Sequence, residues 1–349
     1  MTRDDHHEGR ATHQWAGLFL GPALAIAMLL SGAPEGLSEA AWRTASIGIL
    51  MAVWWATEAV PIAVTALLPL VVFPLFDIAS IHDTARPYSN KVIYLFLGGF
   101  IVAFAMQRWN LHRRIALNVL QVVGGNGRSL VGGFMIASAV ISMWVMNTST
   151  TMMLLPIAVS IIGVIHSSVA SLTETGKRDF QYALLLGIAY SATIGGMTTL
   201  VGTVPNALLA AFMLDTYGNE IDFARWMLVG IPLAVVMLPL SWIVLTRIVF
   251  KVDFVTSDEA RSELRRMKEE MGRISVPEFR IAVIFSCMAL LWMTRPLLTN
   301  LPGLSALDDS GIAMAGAIAL FLVPSGSKED PLLLRWNYAE RLPWGVLIL

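Results

Sequence analysis

Two clusters of polar residues interrupt apolar stretches of this sequence, and their residue types could bind small ions. The first cluster is the run Ser-Met-Trp-Val-Met-Asn-Thr-Ser-Thr-Thr at 142–151. Hydrocarbon offers no hydrogen-bond partners, so irregular polar chain inside an apolar stretch must line protein or water. A chain that turns near 146–148 presents free helix-terminal N–H groups to an anion, whereas free carbonyl groups and the Asn147 amide oxygen suit a hard cation such as Na⁺. The competing interpretation is that the hydroxyl groups only join packed membrane helices.

The second cluster spans 191–206 and combines three glycines, several hydroxyl side chains and a proline within one apolar run. Glycine lowers helix propensity and proline removes a backbone donor, so this composition predicts an unwound, discontinuous helix. The alternative is a helix that is merely kinked, with glycines for close packing. The pair Gly195 and Gly196, followed by Pro205 and Asn206, favours a true break.

The composition indicates that both clusters lie in a membrane protein. Of the 349 residues, 56% are hydrophobic and only 14% are charged, against about 25% charged in soluble domains. The net charge of -1 provides no electrostatic basis for binding nucleic acid. The single cysteine, Cys287, excludes an intrachain disulfide or a Cys-based zinc site.

A bilayer core needs roughly 20 apolar residues per helix. The apolar segments from which we predict membrane helices are 15–30, 43–57, 61–76, 92–107, 130–165, 183–214, 226–250, 279–293 and 311–323.

The distribution of Lys and Arg predicts how these segments cross the membrane. If the N-terminus is cytoplasmic and 130–165 enters and leaves on one side, 19 of the 24 basic residues fall in cytoplasmic segments, as the positive-inside rule requires. A single crossing by 130–165 would abolish that bias. We therefore predict a multi-pass protein of the cell membrane with a cytoplasmic N-terminus and a re-entrant hairpin at 130–165. A cleaved signal peptide is disfavoured because Asp4, Asp5 and Glu8 accompany the first arginines.

Two amphipathic segments flank these spans. Residues 109–123 place Leu111, Ile115, Val119 and Val122 near one face, which predicts a helix lying in the membrane interface. Residues 257–272 begin with a capping serine, pair basic with acidic residues four positions apart, and end at glycine. This second pattern predicts a solvated cytoplasmic helix.

A weak internal repeat is also present. The run 54–58 before Pro61 is similar to the run 291–295 before Pro296, and 92–97 is similar to 345–349. In the predicted topology the two copies of the first motif enter the membrane from opposite sides. That is the arrangement of the inverted repeats of secondary transporters, whose binding sites form where the repeats meet.

Three motifs together resemble the divalent anion:sodium symporter family of di- and tricarboxylate transporters, in order and over nearly the whole chain. They are Trp-Ala-Thr-Glu-Ala-Val-Pro at 55–61, Ser-Met-Trp-Val-Met-Asn-Thr at 142–148, and Ile-Gly-Gly at 194–196 through Val-Pro-Asn at 204–206. The resemblance implies an all-α polytopic membrane protein, an inverted-repeat secondary transporter in which each re-entrant hairpin faces a discontinuous helix. It also implies a homodimer that uses Na⁺ as coupling ion and no other cofactor.

Carried over residue by residue, the resemblance implies a substrate site and a sodium site. The implied substrate-binding residues are Met146, Asn147 and Thr148. The implied sodium-binding residues are Ser142, Asn147, Gly195 and Gly196, the last two through their backbone. The supporting residues are Thr199, Thr203, Pro205 and Asn206. Met146 departs from the family pattern, which has Ser there, and the missing hydroxyl bears on substrate preference and sodium dependence.

The resemblance also divides the chain into segments. These are a cytoplasmic N-terminus (1–14), scaffold helices with the interfacial helix (15–129), part of a transport domain (130–215, with the hairpin 130–165 and the discontinuous helix 183–214), a membrane helix (216–250), a cytoplasmic linker helix (251–278) and the start of a second repeat (279–349). The family's second hairpin and second sodium site would lie beyond Leu349. We therefore expect a chain of this extent not to transport by itself.

The expected function is secondary transport of a divalent organic anion, such as succinate, malate, fumarate or citrate, coupled to Na⁺. Alternatives of the same architecture are an anion exchanger and a carrier of sulfate or another anion. Proton coupling is disfavoured because Glu58, the only carboxylate within an apolar stretch, lies at a helix junction. A membrane enzyme is disfavoured because a Ser142–His166 dyad would join opposite ends of one hairpin. A truncated fragment without transport activity is the remaining alternative.

Overall fold

The computed structural model describes residues 10–122, 125–169, 172–327, 330–340, 342 and 344–348. Over this part of the chain the secondary structure is helical, without β-strands, so the predicted all-α class is confirmed. Five of the described helical segments are long and apolar enough to cross a membrane: Thr12–Ser31, Ile81–Arg108, Asn147–Ser168, Phe223–Val249 and Val276–Leu298. Most of the predicted cytoplasmic N-terminus, residues 1–9, and the predicted end of the interfacial helix, Val123, lie outside the described residues.

The first of two compact units comprises the described residues up to Ile93 together with the segment Trp344–Ile348. Its helices are α1 (Thr12–Ser31), α2 (Glu39–Thr57), α3 (Ile62–Ala66), α4 (Leu68–Leu75) and α5 (Ile81–Ala85), which a 3₁₀ turn at Arg86–Ser89 follows. Helices α1 and α2 pack closely because Gly21 has no side chain. A Cβ atom at Gly21 would lie 3.0 Å from the Trp54 indole.

The junction between α2 and α3 lies where the sequence predicts a helix break. Glu58 takes the left-handed conformation (φ 49°), and its N–H group donates to the carbonyl oxygens of Trp54 and Trp55. Glu58 therefore closes the turn at the helix junction where the sequence places it. The helix predicted over 61–76 is present as an apolar helical segment, Ile62–Leu75, which a turn at Leu67 divides into α3 and α4. Pro69, in the first turn of α4, has no N–H group to continue the helix from α3.

The second unit runs from Tyr94 to Leu342. Its helices are α6 (Lys91–Arg108, which begins just before the boundary), α7 (Leu111–Gln121), α8 (Gly127–Ser142), α9 (Asn147–Ser168), α10 (Glu174–Gly196), α11 (Val204–Tyr217), α12 (Phe223–Ile243, continued by a π-helical turn at Val244–Val249), α13 (Asp258–Glu270), α14 (Val276–Leu298), α15 (Asp309–Leu322) and α16 (Trp336–Ala339). The apolar core of this unit lies where α8, α9 and α10 pack together, around residues such as Phe134, Ile161 and Leu184.

Small and hydroxyl-bearing residues bring α8 and α10 into close contact. A Cβ atom at Gly187 would lie 3.1 Å from the Met135 side chain. The Ser138 hydroxyl donates a 2.8 Å hydrogen bond to the carbonyl oxygen of Ile188. Close backbone approach at small residues, with hydroxyl groups joining the helices, is typical of packing between membrane helices. The C-terminal ends of α8 and α10 are thereby held side by side.

The two amphipathic helices differ from the predicted ones in what they bury. In α7 the buried residues include Ala116, Leu117 and Leu120, whereas Val122, predicted on the apolar face, is 88% exposed. In α13 three apolar residues at helical spacing, Ala260, Leu264 and Met267, are buried against other helices. Helix α13 packs against α7 and α9, so α7 and α13 each have a face that is buried by other helices. The predicted pairs Arg265–Glu269 and Arg266–Glu270 form on the exposed side of α13, at 2.9 and 2.7 Å.

Candidate functional site

The break between α8 and α9 holds an amide oxygen in a fixed position. Helix α8 ends at Ser142 in a tight turn, in which the N–H groups of Trp144 and Val145 share the Ile141 carbonyl oxygen, at 3.1 and 3.0 Å. Across the break, the Ser142 hydroxyl donates a 2.8 Å hydrogen bond to the Asn147 side-chain oxygen, Oδ1. Ser142 is fully buried. The predicted sodium residues Ser142 and Asn147 are thus in direct contact.

The N-terminus of α9 presents free backbone donors. Its first intrahelical bond runs from the Thr150 N–H group to the Met146 carbonyl oxygen, at 2.9 Å. The N–H groups of the three preceding residues have no partner within a helix of this geometry, and the Met146 side chain supplies no cap. Thr148 is exposed and Met146 is half-buried. A helix N-terminus with free N–H groups and a nearby hydroxyl suits a carboxylate or a similar anion.

A second break, at 197–203, separates α10 from α11 within the run predicted as a discontinuous helix. Asn206 stabilises this break, since its side-chain amide donates to the carbonyl oxygens of Gly196 (2.9 Å) and Thr199 (2.7 Å). The Thr199 hydroxyl accepts a 3.1 Å bond from the Gly202 N–H group and donates to the Met143 carbonyl oxygen. Thr199 therefore joins the two breaks directly, and the supporting roles predicted for Thr199 and Asn206 have a structural basis.

Two glycines let the breaks approach each other. A Cβ atom at Gly196 would overlap Asn147 Oδ1. A Cβ atom at Gly202 would lie 2.5 Å from the Gly196 carbonyl oxygen and 3.0 Å from that of Ser142. Oxygen atoms of Ser142, Asn147 and Gly196 are therefore brought close together around two glycine backbones. Neutral hydroxyl, amide and carbonyl oxygens are the ligands that hard cations prefer.

The remaining predicted residues lie at the edge of this arrangement. Gly195 packs against the Ala139 backbone, and its carbonyl oxygen accepts a 2.6 Å bond from the Thr198 hydroxyl. Thr203 is the extended residue before α11, and it makes no side-chain cap. Pro205 is exposed in the first turn of α11, where its missing N–H group costs nothing.

Aromatic residues of α12 and α14 surround the two breaks, and no motif in the sequence marks them. The Trp144 ring stacks on Phe223 and Trp292, with centroid separations of 5.8 and 6.3 Å, and meets Phe285 edge-on at 4.9 Å. The Trp226 indole N–H group donates to the Met197 carbonyl oxygen at 2.9 Å. The presence of Trp144 inside the first polar cluster is the one sequence feature that could have indicated this packing. Its partner rings lie far away along the chain and could not be identified from the sequence.

Charged side chains do not build this site. Among the described residues, no group of three or more His, Cys, Asp or Glu side chains is arranged to hold a metal ion. His166, the partner considered for a Ser142 dyad, instead lies 3.2 Å from the Lys177 carbonyl oxygen, through its ring atom Nε2. The Ser142 hydroxyl is committed to Asn147 and to the Val145 carbonyl oxygen. The site thus offers neutral oxygen ligands and backbone donors.

The fold and the site define a polytopic, all-α membrane protein with a polar site between two helix breaks. The chain belongs to the sodium:sulfate symporter family, whose transmembrane region matches residues 12–349, and the resemblance drawn from the three motifs is confirmed. It is similar to the sodium-dependent dicarboxylate transporter SdcS of Staphylococcus aureus strain MRSA252, with 39% identity over 342 residues, 97% of this chain and 66% of that protein.

Other relatives agree with this assignment. The SdcS proteins of Staphylococcus aureus strain NCTC 8325 and of Staphylococcus saprophyticus are each 39% identical over 339 residues, 96% of this chain and 65% of the relative. The chain therefore spans slightly less than two thirds of the length of these curated relatives. All three are named as transporters rather than enzymes, in agreement with the expectation that this protein is not an enzyme.

Proposed function

We propose that this protein is a secondary carrier of a divalent organic anion, coupled to Na⁺. The observation that carries the proposal is the convergence of neutral oxygen atoms at the two helix breaks. The Ser142 hydroxyl holds Asn147 Oδ1, and Gly196 leaves no space for a side chain beside that atom. The three relatives described above are named sodium-dependent dicarboxylate transporters, which supports a dicarboxylate such as succinate, malate or fumarate, or the related citrate, as substrate.

In this proposal Na⁺ binds to oxygen atoms of Ser142, Asn147 and the backbone at Gly195 and Gly196. Sodium is the coupling ion here, and it is carried rather than retained. The Gly195 carbonyl oxygen already accepts the Thr198 hydroxyl, and the Gly196 carbonyl oxygen already accepts the Asn206 amide. The larger share of coordination therefore falls to the side-chain oxygens of Ser142 and Asn147. Binding of Na⁺ to Asn147 Oδ1 would compete with the hydrogen bond from Ser142, so the break between α8 and α9 would respond to the ion.

The anion in this proposal binds at the N-terminus of α9. The free N–H groups there, the Asn147 side-chain amide and the exposed Thr148 hydroxyl are donors that suit a carboxylate. Met146 lies beside them and contributes a thioether in place of a hydroxyl, which weakens donation to the anion at this position. A re-entrant hairpin, a cytoplasmic N-terminus and a homodimer are parts of the same proposal, on the strength of the Lys/Arg distribution and the family resemblance.

Uptake of radiolabelled succinate into proteoliposomes tests the proposed function, with the protein expressed from its complete reading frame. We expect uptake to rise when an inward Na⁺ gradient replaces choline, and to fall when unlabelled malate or fumarate competes. Uptake that is driven by preloaded dicarboxylate without Na⁺ would favour exchange. Competition by sulfate alone would favour a sulfate carrier. Uptake indifferent to Na⁺ and to every dicarboxylate would contradict the proposal.

The substitution Met146→Ser tests the proposed position of the anion. Because the new hydroxyl adds a donor at the N-terminus of α9, we expect the apparent KM for succinate to change while the Na⁺ dependence remains. The matched control is Met152→Ser, which removes a methionine 64% exposed on the same helix and away from its N-terminus. If Met146→Ser and Met152→Ser leave the KM and the order of substrate preference equally unchanged, the anion does not contact residue 146.

A further inference from the structure

A cavity of about 510 Å³ lies in the second unit, apart from the candidate site. Its lining residues come from the end of α6, from α7, α13 and the start of α14, and from α16. None of them belongs to the two polar clusters at 142–151 and 191–206. Its volume falls in the range of about 300–1,000 Å³ that is usual for small-ligand sites.

Two arginines, Arg114 and Arg108, hold the walls of this cavity in place through ion pairs. Arg114 on α7 binds Glu278 on α14 at 3.0 Å and also donates to the Gly272 carbonyl oxygen at 2.9 Å. Arg108 at the end of α6 pairs with Asp330 and lies over the Tyr338 ring, 3.7 Å from its centroid. The cavity is thus formed by residues whose side chains already have fixed positions.

The charges at this cavity leave positive charge in excess near Arg108 and Arg113. Glu278, which lines the cavity, is neutralised by Arg114, and Glu270 shares Arg266 with Glu263, each carboxylate lying 2.7 Å from the guanidinium group. Asp330 faces two arginines, Arg108 and Arg335, with a single negative charge. Arg113 lines the cavity and forms no hydrogen bond or ion pair with any other residue that the structure describes. The planar guanidinium group of such an arginine can donate two parallel hydrogen bonds to the oxygens of a phosphate group.

The position of the cavity along the membrane helices specifies the ligand further. Arg108 is the last residue of one apolar span, and Ser275 directly precedes another, α14. The cavity therefore lies at the polar ends of two candidate spans, and if both helices cross the membrane, lipid headgroups would begin at this depth. Trp109 and Tyr338 line it, and such aromatic residues are enriched at that depth. Basic pockets between membrane helices bind the headgroups of anionic lipids.

We propose that this cavity binds a phosphate-bearing anion, through Arg113, at the membrane boundary. The phosphate belongs either to the headgroup of an anionic lipid or to a soluble phosphate. The site is independent of sodium and of dicarboxylate, so its test does not depend on the proposed transport function.

The test is a titration of the purified chain in detergent, with thermal stability as the readout. The probes are a soluble short-chain phosphatidylglycerol, the matching diacylglycerol without phosphate, and inorganic phosphate. We expect saturable stabilisation by the phosphatidylglycerol and none by the diacylglycerol. Arg113→Gln should weaken the apparent affinity about fivefold, the effect of one basic residue near an anionic group, and Arg113→Lys should restore most of it.

The control is Arg178→Gln, because Arg178 is an exposed arginine on α10 outside the cavity. It should bind the phosphatidylglycerol like the unmodified chain. If inorganic phosphate stabilises the protein with the same dependence on Arg113, the ligand is a soluble phosphate; if only the phosphatidylglycerol does, it is a lipid. The proposal is overturned if Arg113→Gln binds like Arg178→Gln, if the diacylglycerol binds as well as the phospholipid, or if neither phosphate-bearing probe stabilises the chain.

Discussion

Replacing Gly196 with Ala should destabilise the protein and remove its response to Na⁺. A Cβ atom at this position would overlap Asn147 Oδ1 and lie 3.1 Å from Asn147 Cγ. The carboxamide must therefore move, and the 2.8 Å hydrogen bond that it accepts from Ser142 is lost. Because Ser142 is fully buried, its hydroxyl keeps only the weaker 3.3 Å contact with the Val145 carbonyl oxygen.

The expected magnitude follows from three contributions to the free energy of unfolding. Overpacking at a closed site costs about 1–3 kcal/mol, and the lost hydrogen bond costs about 1 kcal/mol. Alanine in place of glycine in a helix offsets about 0.5–1 kcal/mol of this. The net destabilisation is therefore about 1–3.5 kcal/mol. Separately, Na⁺ at ten times its Kd stabilises a protein that binds it by about 1.4 kcal/mol, and this increment should vanish in Gly196→Ala.

The assay is unfolding of the purified protein in NaCl and in choline chloride at equal ionic strength. The matched control is Gly163→Ala, because Gly163 lies in helix α9 with open space where a Cβ atom would be. That control should gain about 0.5–1 kcal/mol from helix propensity and keep the full Na⁺ increment. If Gly196→Ala also keeps the full increment, the oxygen atoms beside Gly196 do not bind Na⁺, and the reasoning is refuted.

Two further substitutions test the break between α10 and α11 and the packing of α7. Asn206→Ala removes the donor to the Gly196 and Thr199 carbonyl oxygens, and it should lower the free energy of unfolding by about 2–3 kcal/mol. The measurement is chemical denaturation. In the same experiment Asn300→Ala, at an exposed asparagine, should change the free energy of unfolding little. Burial holds the pKa of His112 below its ordinary 6.5, against the opposing effect of its hydrogen bond to Met106. Because the folded state then favours the neutral ring, the stability should be retained above pH 6.5 and should fall as the pH drops below 6.5. Thermal melts at a series of pH values measure this loss of stability, which should be smaller in His112→Gln.

The sequence predicted the places of the helix breaks better than their details. Gly195, Gly196 and Pro205 mark the second break, because their effect on a helix is local. The turn before α9 was expected near 146–148, but the chain turns at 143–146, and Asn147 and Thr148 are the first residues of α9. Polar composition shows where a helix is interrupted, but it does not specify the residue at which the next helix begins.

Contacts between distant parts of the chain could not be predicted. The hydrogen bond between Asn206 and Thr199 joins residues seven positions apart, within one polar cluster. The hydrogen bond between Thr199 and Met143 joins residues 56 positions apart, and nothing in the sequence pairs them. The same holds for the buried face of α7, which depends on packing against α8 and α13. Periodicity alone marks an apolar stripe, but the partner decides which residues of a helix become buried. The inverted repeat and the re-entrant path of 130–165 stay predictions.

Direct binding of ²²Na⁺ to the purified chain tests the central claim, that Asn147 at the two helix breaks is part of a sodium site. We expect the unmodified chain to bind ²²Na⁺ saturably, with displacement by unlabelled Na⁺ and not by choline. Asn147→Ala removes the side-chain oxygen beside Gly196 and should abolish this binding, whereas Asn300→Ala should leave it unchanged. Saturable ²²Na⁺ binding of equal affinity in Asn147→Ala and Asn300→Ala would contradict the assignment.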